Sequence, residues 1–302
     1  MAKTWFITGA SRGLGGEIVQ AALRAGDRVV AAVRNLAGSG DTLASASDQL
    51  LRVELDVTDA AQAGTAVDAA LSRFGTIDVL VNNAGYGHYG FFEESTIDDA
   101  RDQIATNLFG VLHVTWAALP AMRTARKGRI FNLSSLGGFV GGQMASLYCA
   151  TKFAVEGFSE SLAKEVAPFG IHVTIVEPGP FRTDFLTARS VRFGQKRIAD
   201  YDDRRSAILA GVEERNGRQP GDPAKLAEAI IALAKTDQPP LRFLAGSVAV
   251  NAADEKLTSV RAELEHWRQL SISTDGTFGN DASMGSILAQ IEAPTERPNR
   301  SR

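Results

Sequence analysis

The chain has 302 residues, 44% hydrophobic and 22% charged, with a formal net charge of −3. That composition suits one large α/β domain or two smaller ones and can fill a sizeable core. The slight acidity argues against a general nucleic-acid or membrane-surface binder, since both usually present a basic face.

One cysteine, Cys149, rules out an internal disulfide and fits a reducing compartment. Met1 runs into Lys3-Thr4-Trp5-Phe6-Ile7 without a long apolar leader, and no unbroken apolar run approaches a membrane span. The expectation is a cytoplasmic protein with no membrane partner. No repeat and no extended low-complexity block stand out.

In chain order, short apolar runs alternate with segments of helical period. Trp5-Phe6-Ile7 is the first run, and Glu17 to Leu23 has helical character. Val29 to Val33 and Leu51 to Leu55 follow as strands, then Val67, Ala70, Leu71 and Phe74 on one helix face. Val79-Leu80-Val81 and Ile130 to Leu133 are strands. Val155, Phe158, Leu162 and Val166 mark a helix, and Val173 to Val176 a further strand. Residues 185–221 break the rhythm and read as a helical lid. Leu226, Ile230 and Leu233 resume it, and Arg242 to Ala245 suggests a last strand. Leu257, Val260, Leu264 and Trp267 predict a C-terminal amphipathic helix, with a polar tail from Ser271. Runs that are apolar on both faces predict a Rossmann-type, doubly wound parallel α/β sheet with helices on both sides. The predicted layout is one dinucleotide-binding and catalytic domain over 1–270 and a tail over 271–302. Ligands in such sheets sit beyond the carboxyl ends of the strands.

The candidate residues fall there. After the first run comes Thr8-Gly9-Ala10-Ser11-Arg12-Gly13-Leu14-Gly15. Glycines let the backbone turn tightly and approach a ligand, and the helix start that follows favours a pyrophosphate. The second strand ends in Val33-Arg34, where folds that select NAD place an acid. Arg12 and Arg34 with no carboxylate favour a 2′-phosphate, hence NADP(H) over NAD(H). Asp56-Val57 ends the third strand, where the carboxylate is either an adenine contact or a helix cap. Asn82-Asn83-Ala84-Gly85 ends the fourth with small residues that allow close approach to a ribose, or form a simple turn.

The strand Ile130 to Leu133 runs into Ser134-Ser135, with Tyr148 thirteen residues beyond Ser135 and Lys152 four beyond that. Tyr148 and Lys152 therefore share a helix face. At ~4 Å and an effective dielectric near ~20, an ammonium stabilises a phenolate by about 4 kcal/mol, or about three pKa units. That makes Tyr148 a candidate general acid/base, with Ser135 donating to the substrate oxygen. Ser134 is the rival of Ser135. Cys149 is discounted as a nucleophile because no histidine is near it in sequence. His88, His113, His172 and His266 show no metal spacing, and no metal is expected.

Taken together these residues resemble the short-chain dehydrogenase/reductase family, over about residues 3–250. The match comprises Thr8-Gly9-x-x-x-Gly13-x-Gly15, Asp56, Asn82 to Gly85, Asn107, Ser135, Tyr148-x-x-x-Lys152 and Pro178-Gly179-x-x-x-Thr183. The resemblance implies seven strands in the order 3-2-1-4-5-6-7. It also implies that Asn107 kinks a helix and holds a water linking Lys152 to solvent. Pro178, Gly179, Phe181 and Thr183 would hold the nicotinamide amide. Lys152 would bind the nicotinamide ribose. Arg34 and the long C-terminal part resemble the hydroxysteroid-dehydrogenase-like branch. The expected activity is hydride transfer between NADP(H) and a small carbonyl or secondary alcohol. Phe91, Phe92, Phe139, Phe185 and Phe193 suggest an apolar substrate, though core packing explains them equally well. A homo-oligomer, dimer or tetramer, is compatible with the family. The alternative reading is an NADP(H)-binding regulatory protein with little turnover.

Overall fold

The computed structural model describes residues 2–37, 48–187 and 189–276. Met1–Ala253 forms one compact unit. In it β1 (Thr4–Thr8) leads into α1 (Gly13–Arg24), β2 (Arg28–Val33), β3 (Leu50–Glu54) and α2 (Ala60–Phe74). β4 (Val79–Asn82) is followed by a short β5 (Gly87–Tyr89), then α3 (Ile97–Ile104) and α4 (Gly110–Ala125). Next come β6 (Gly128–Leu133), α5 (Ser146–Val166), β7 (Ile171–Pro178) and β8 (Val191–Phe193). α6 (Asp202–Arg215), α7 (Pro223–Lys235), β9 (Arg242–Ala245) and the start of α8 (Ser247–Ile272) complete it.

Seven strands form one parallel sheet in the order β3-β2-β1-β4-β6-β7-β9. Counting only its own members, this is the expected doubly wound order. β5 and β8 pair with each other in a separate two-stranded parallel sheet, for which the predicted order has no place.

Alternation along each strand builds two cores, one on each face. Trp5, Ile7, Val29, Ala31, Val79, Val81 and Phe131 point to the face covered by α1 and α7. There the Trp5 and Phe131 rings stack at 6.5 Å. Phe6, Val30, Ala32, Leu80 and Ile130 point to the other face, against α2, α4 and α5. By length and composition Ile97–Ala125 is apolar enough to cross a membrane. Its Val114, Ala118 and Met122, however, are buried in this second core.

Local chemistry fixes the helix ends. Asp59 caps α2, accepting from Ala61 N at 2.8 Å and Gln62 N at 3.1 Å, and Gly75 ends that helix in the left-handed region. Asp222 caps α7 just ahead of Pro223. Thr96 and Asp99 form a reciprocal capping box at α3. Between α3 and α4 the backbone takes one π turn, Ala105–Phe109.

The second unit begins at Asp254, inside α8, just after the last buried residue of that helix, Ala253. The predicted stripe of Leu257, Val260, Leu264 and Trp267 is helical and exposed. Ser271 and Ile272, assigned to the tail by composition, still belong to the helix. Residues 273–276 continue past the helix, beginning with a turn, and 277–302 of the predicted tail lie outside the described residues.

Candidate active site

Every parallel strand of the main sheet ends at one edge, and the loops there carry the predicted residues. Gly9 (φ 62°) and Gly13 (φ 55°) both occupy the left-handed region, so their places in the turn favour glycine. A Cβ on Gly15 would run into the Gly9 carbonyl oxygen and lie 2.5 Å from Asn83 Nδ2. α1 starts directly behind this turn, and no side chain caps its first N–H groups. Ser11, Arg12 and Leu14 sit in the same turn. An uncapped helix start behind a turn this tight fits a pyrophosphate.

Asn83 has a role that its spacing did not reveal. Its side chain donates to Thr8 O at 2.9 Å and to Gly9 O at 3.1 Å. The backbone N–H groups of Asn83 and Ala84 each donate to Thr8 Oγ1 at 3.0 Å. The end of β4 is thus a strut under the glycine turn. Gly85 lies against Asn107, 3.1 Å from its Oδ1 to a Cβ placed there.

Val33 ends β2 and Arg34 follows it, exposed. Arg12 reaches across the cleft and donates to Arg189 O at 2.7 Å. Residues 38–47, beyond Arg34, lie outside the described residues. Asp56 closes a tight turn, accepting from Thr58 N at 2.9 Å and Thr58 Oγ1 at 2.8 Å, while the helix cap itself is Asp59. Val57 O meets His113 Nδ1 at 2.9 Å.

Ser135 follows β6, and its hydroxyl accepts from Gly137 N at 3.0 Å. Tyr148 and Lys152 lie one turn apart on α5, with the ammonium 5.8 Å from the phenol ring centroid. Lys152 is 7% exposed and donates to Leu133 O at 2.7 Å, which holds it against the end of β6. The Phe185 ring lies 5.9 Å from that of Tyr148 and covers it. Of the five phenylalanines singled out in the sequence, it is the one whose ring packs on Tyr148. Phe91 stacks on Tyr201, Phe193 packs near Tyr89, Phe139 lies under Arg242, and Phe92 is exposed.

Electrostatics differ from the expectation of a lowered phenol pKa. Burial pushes the Tyr148 phenol well above its ordinary value, and the neighbouring Ser135 hydroxyl pulls only part of the way back. Lys152 is itself depressed to about 8 by burial, against an opposing pull from Glu156. Desolvation here outweighs the attraction expected from the sequence spacing.

Asn107 sits in the π turn. Its Oδ1 accepts from Tyr86 N at 3.1 Å, and its Nδ2 donates to Tyr86 O at 2.9 Å and Thr151 Oγ1 at 3.2 Å. The helix takes its π turn there, and the Asn107 side chain ties it to α5 next to the lysine. Pro178-Gly179 leaves β7 beside β9, with Gly179 N donating to Ala245 O at 3.0 Å. Phe181 bridges to Gly221, where a Cβ would meet its ring at 2.6 Å. Thr183 accepts from Phe185 N at 3.2 Å. This segment lies near the glycine turn, because a Cβ on Gly13 would be 3.9 Å from Thr183 Cβ. Among the described residues no group of His, Cys, Asp or Glu could hold a metal.

Single-sequence spacing missed two further groups. One is a buried ladder in which Asn82 Nδ2 donates to Thr115 Oγ1 (3.0 Å) and Asn132 Oδ1 (2.8 Å), and Asn132 Nδ2 donates to Ser159 Oγ (2.8 Å). The other is a set of charges behind Ser135, formed by Glu156, Glu177 and Arg242. Isolated polar residues inside apolar strands were the available signal for both.

A glycine turn opening onto a bare helix start, with a serine, a phenol and a lysine along the same sheet edge, defines a dinucleotide-dependent oxidoreductase. Residues 3–192 match the family model described as short chain dehydrogenase, and the chain belongs to that family. It is 39% identical over 275 residues to oxidoreductase BOA17 of Botryotinia fuckeliana, covering 91% of this chain and 100% of that one. A solved short-chain dehydrogenase from Streptomyces avermitilis has a TM-score of 0.83 at 42% identity, covering 91% of this chain and 100% of that one. The 3-ketoacyl-(acyl-carrier-protein) reductase of Brucella melitensis, solved with NADH, has a TM-score of 0.67 at 29% identity, covering 80% and 94%. The chain is thus an oxidoreductase acting on CH–OH or C=O groups of small molecules with a nicotinamide cofactor.

Proposed function

We propose that the chain reduces a carbonyl, or oxidises the corresponding secondary alcohol, with NADP(H), using Tyr148 as the general acid/base. The observation that carries this reading is the grouping of half-buried Ser135 and Tyr148 with buried Lys152 one turn further along α5, the Phe185 ring packed against that of Tyr148.

The bound nicotinamide supplies or accepts the hydride. Every other part is played by the chain. Tyr148 gives its proton to the substrate oxygen as the alkoxide forms, and takes it back in the oxidation direction. The raised phenol pKa suits the first role, because the proton is held until a stronger base appears beside it. Ser135 donates to the same oxygen and fixes its distance. Lys152, held by Leu133 O with its ammonium 5.8 Å from the phenol ring centroid, would bind the nicotinamide ribose. Asn107 keeps the lysine side of α5 in register through Thr151. Phe185 packs against the Tyr148 ring and offers an apolar wall to the substrate.

Preference for NADP(H) over NAD(H) is supported by Val33 in place of an acid and by the exposed Arg34 that follows it; Arg12, which donates to Arg189 O, would have to turn from that partner to join it. Gly9, Gly13, Asn83, Ala84 and Gly85 would cradle the diphosphate and ribose. Pro178, Gly179, Phe181 and Thr183 would flank the nicotinamide amide, and Asp56 and Val57 the adenine.

The test is Tyr148→Phe, assayed by NADPH absorbance on a carbonyl panel and by NADPH fluorescence titration. Turnover falls by at least about a thousandfold while the cofactor Kd stays within about twofold. Retained turnover removes Tyr148 from its role.

A further inference from the structure

A second group of charges lies directly behind the Ser135–Tyr148–Lys152 cluster, and the proposed chemistry gives it no part. Glu156 is one helical turn beyond Lys152 on α5 and only 5% exposed. Glu177, on β7, is completely buried. Arg242, on β9, reaches both through one nitrogen: its Nη1 donates to Glu156 Oε2 and, at 2.8 Å, to Glu177 Oε1. Its Nη2 donates at 3.1 Å to Glu160, which is partly in solvent. Three carboxylates therefore answer to one guanidinium. Three oxygens in the same region have no hydrogen-bond partner: Glu156 Oε1, Glu177 Oε2 and Ser134 Oγ. Gly138 leaves the space in which Ser134 Oγ and Glu156 Oε1 lie.

Two carboxylates on one donor in a dry site cannot both ionise cheaply. Burial, and then the neighbouring Glu177, push Glu156 up to about 7, with Ser134 and Arg242 pulling the other way. The groups facing Glu156 are Lys152 and Glu160 on α5, Glu177 on β7, Arg242 on β9 and Ser134 after β6.

We propose that Glu156 holds a proton at neutral pH, shared with Glu177, and that on losing it to solvent Glu156 supplies the charge that supports the Lys152 ammonium against its burial. The proposal rests on the role given to Lys152 above and makes Glu156 a positioning residue that acts through it. The placement of Glu156 makes the device work. Its charge is already among the influences that hold Lys152 at about 8, so without it burial would depress the lysine further. That charge sits one turn away from Lys152 on the same helix face. Lys152 thus keeps its charge through the range in which burial alone would strip it.

Three measurements on the full chain test this. Infrared spectra at neutral pH show a carboxylic-acid C=O band in the wild type that is lost in Glu156→Gln and in Glu177→Gln, because either change leaves a single carboxylate on Arg242. Lysine 13Cε NMR, with Lys152→Arg for assignment, places the Lys152 titration lower in Glu156→Gln by on the order of one pH unit. The alkaline limb of kcat/KM moves down with it. If Glu156→Gln does not fold, Glu177→Gln carries the test: it loses the acid band, and its Lys152 titrates no lower than in the wild type. Absence of the acid band from the wild type overturns the proposal, as does an unmoved Lys152 titration in Glu156→Gln. A shifted Lys152 resonance with an unmoved kinetic limb supports the charge relay and overturns the catalytic role of Lys152 instead.

Discussion

Replacing Asn83 by alanine isolates the strut beneath the glycine turn. The side chain makes two hydrogen bonds to it, to Thr8 O at 2.9 Å and Gly9 O at 3.1 Å. Each is worth about 1 kcal/mol net, so the loss comes to about 2 kcal/mol. If the strut holds the turn in the shape that receives the diphosphate, that energy appears in cofactor affinity as a Kd increase of about 30-fold. Asn83→Asp is worse than Asn83→Ala, because a carboxylate would face two carbonyl oxygens and repel them. The truncation does not create room for Gly15→Ala, since the Gly9 carbonyl still occupies the place of that methyl group. The double variant therefore binds no better than Gly15→Ala alone. NADPH fluorescence titration reads all of these directly. A Kd within about twofold of wild type in Asn83→Ala would refute the strut and leave the turn's shape to its glycines alone.

Arg34→Asp moves the ratio of NADPH to NADH affinity toward NADH by at least about tenfold, and an unchanged ratio places the 2′-phosphate elsewhere. Phe185→Ala leaves the NADPH Kd within about threefold but raises KM for apolar ketones about tenfold, the loss of one buried aromatic contact; equal KM values put the substrate on another wall. The buried charges give stability a pH dependence whose sign can be worked out. Glu156 is raised from 4.5 to about 7, so the folded state binds more protons than the unfolded one in that window, and stability falls as pH rises through it. Lys152 is lowered from 10.5 to about 8, so the folded state binds fewer protons between those values, and stability recovers as pH rises there. Thermal melts of wild type and Glu156→Gln across pH 4.5 to about 7 check the first sign, and a wild-type fall no steeper than the variant's would contradict it.

The covered strands and the shared face of Tyr148 and Lys152 were legible because each depends on local pattern, whereas the strand order came with the family resemblance. Trp5-Phe6-Ile7 and Val79-Leu80-Val81 are apolar on both faces, which only a strand covered on two sides requires. Tyr148 and Lys152 share a face because four residues make about one helical turn. The misses have a common cause, since they depend on what lies across the fold. No helical period stands out over 97–125, because α3 is polar, the π turn at 105–109 shifts the face, and Pro120 lies inside α4. β5 and β8 are three residues each and find each other across about a hundred residues of chain. The direction of the Tyr148 shift depends on Phe185 and on burial, neither of which spacing can report. Arg242, Glu156 and Glu177 belong to three elements and meet only once β9 docks on β7.

The small β5–β8 ribbon anchors the stretch of chain that follows Phe185. Its register joins Gly87 to Val191, His88 to Arg192 and Tyr89 to Phe193. A little further along, Arg205 of α6 is buried on Glu94, and Ile198 N donates to the same carboxylate at 3.1 Å. The stretch that follows Phe185 is therefore held to the rest of the unit at two points, by its pairing with β5 and by the Glu94 carboxylate.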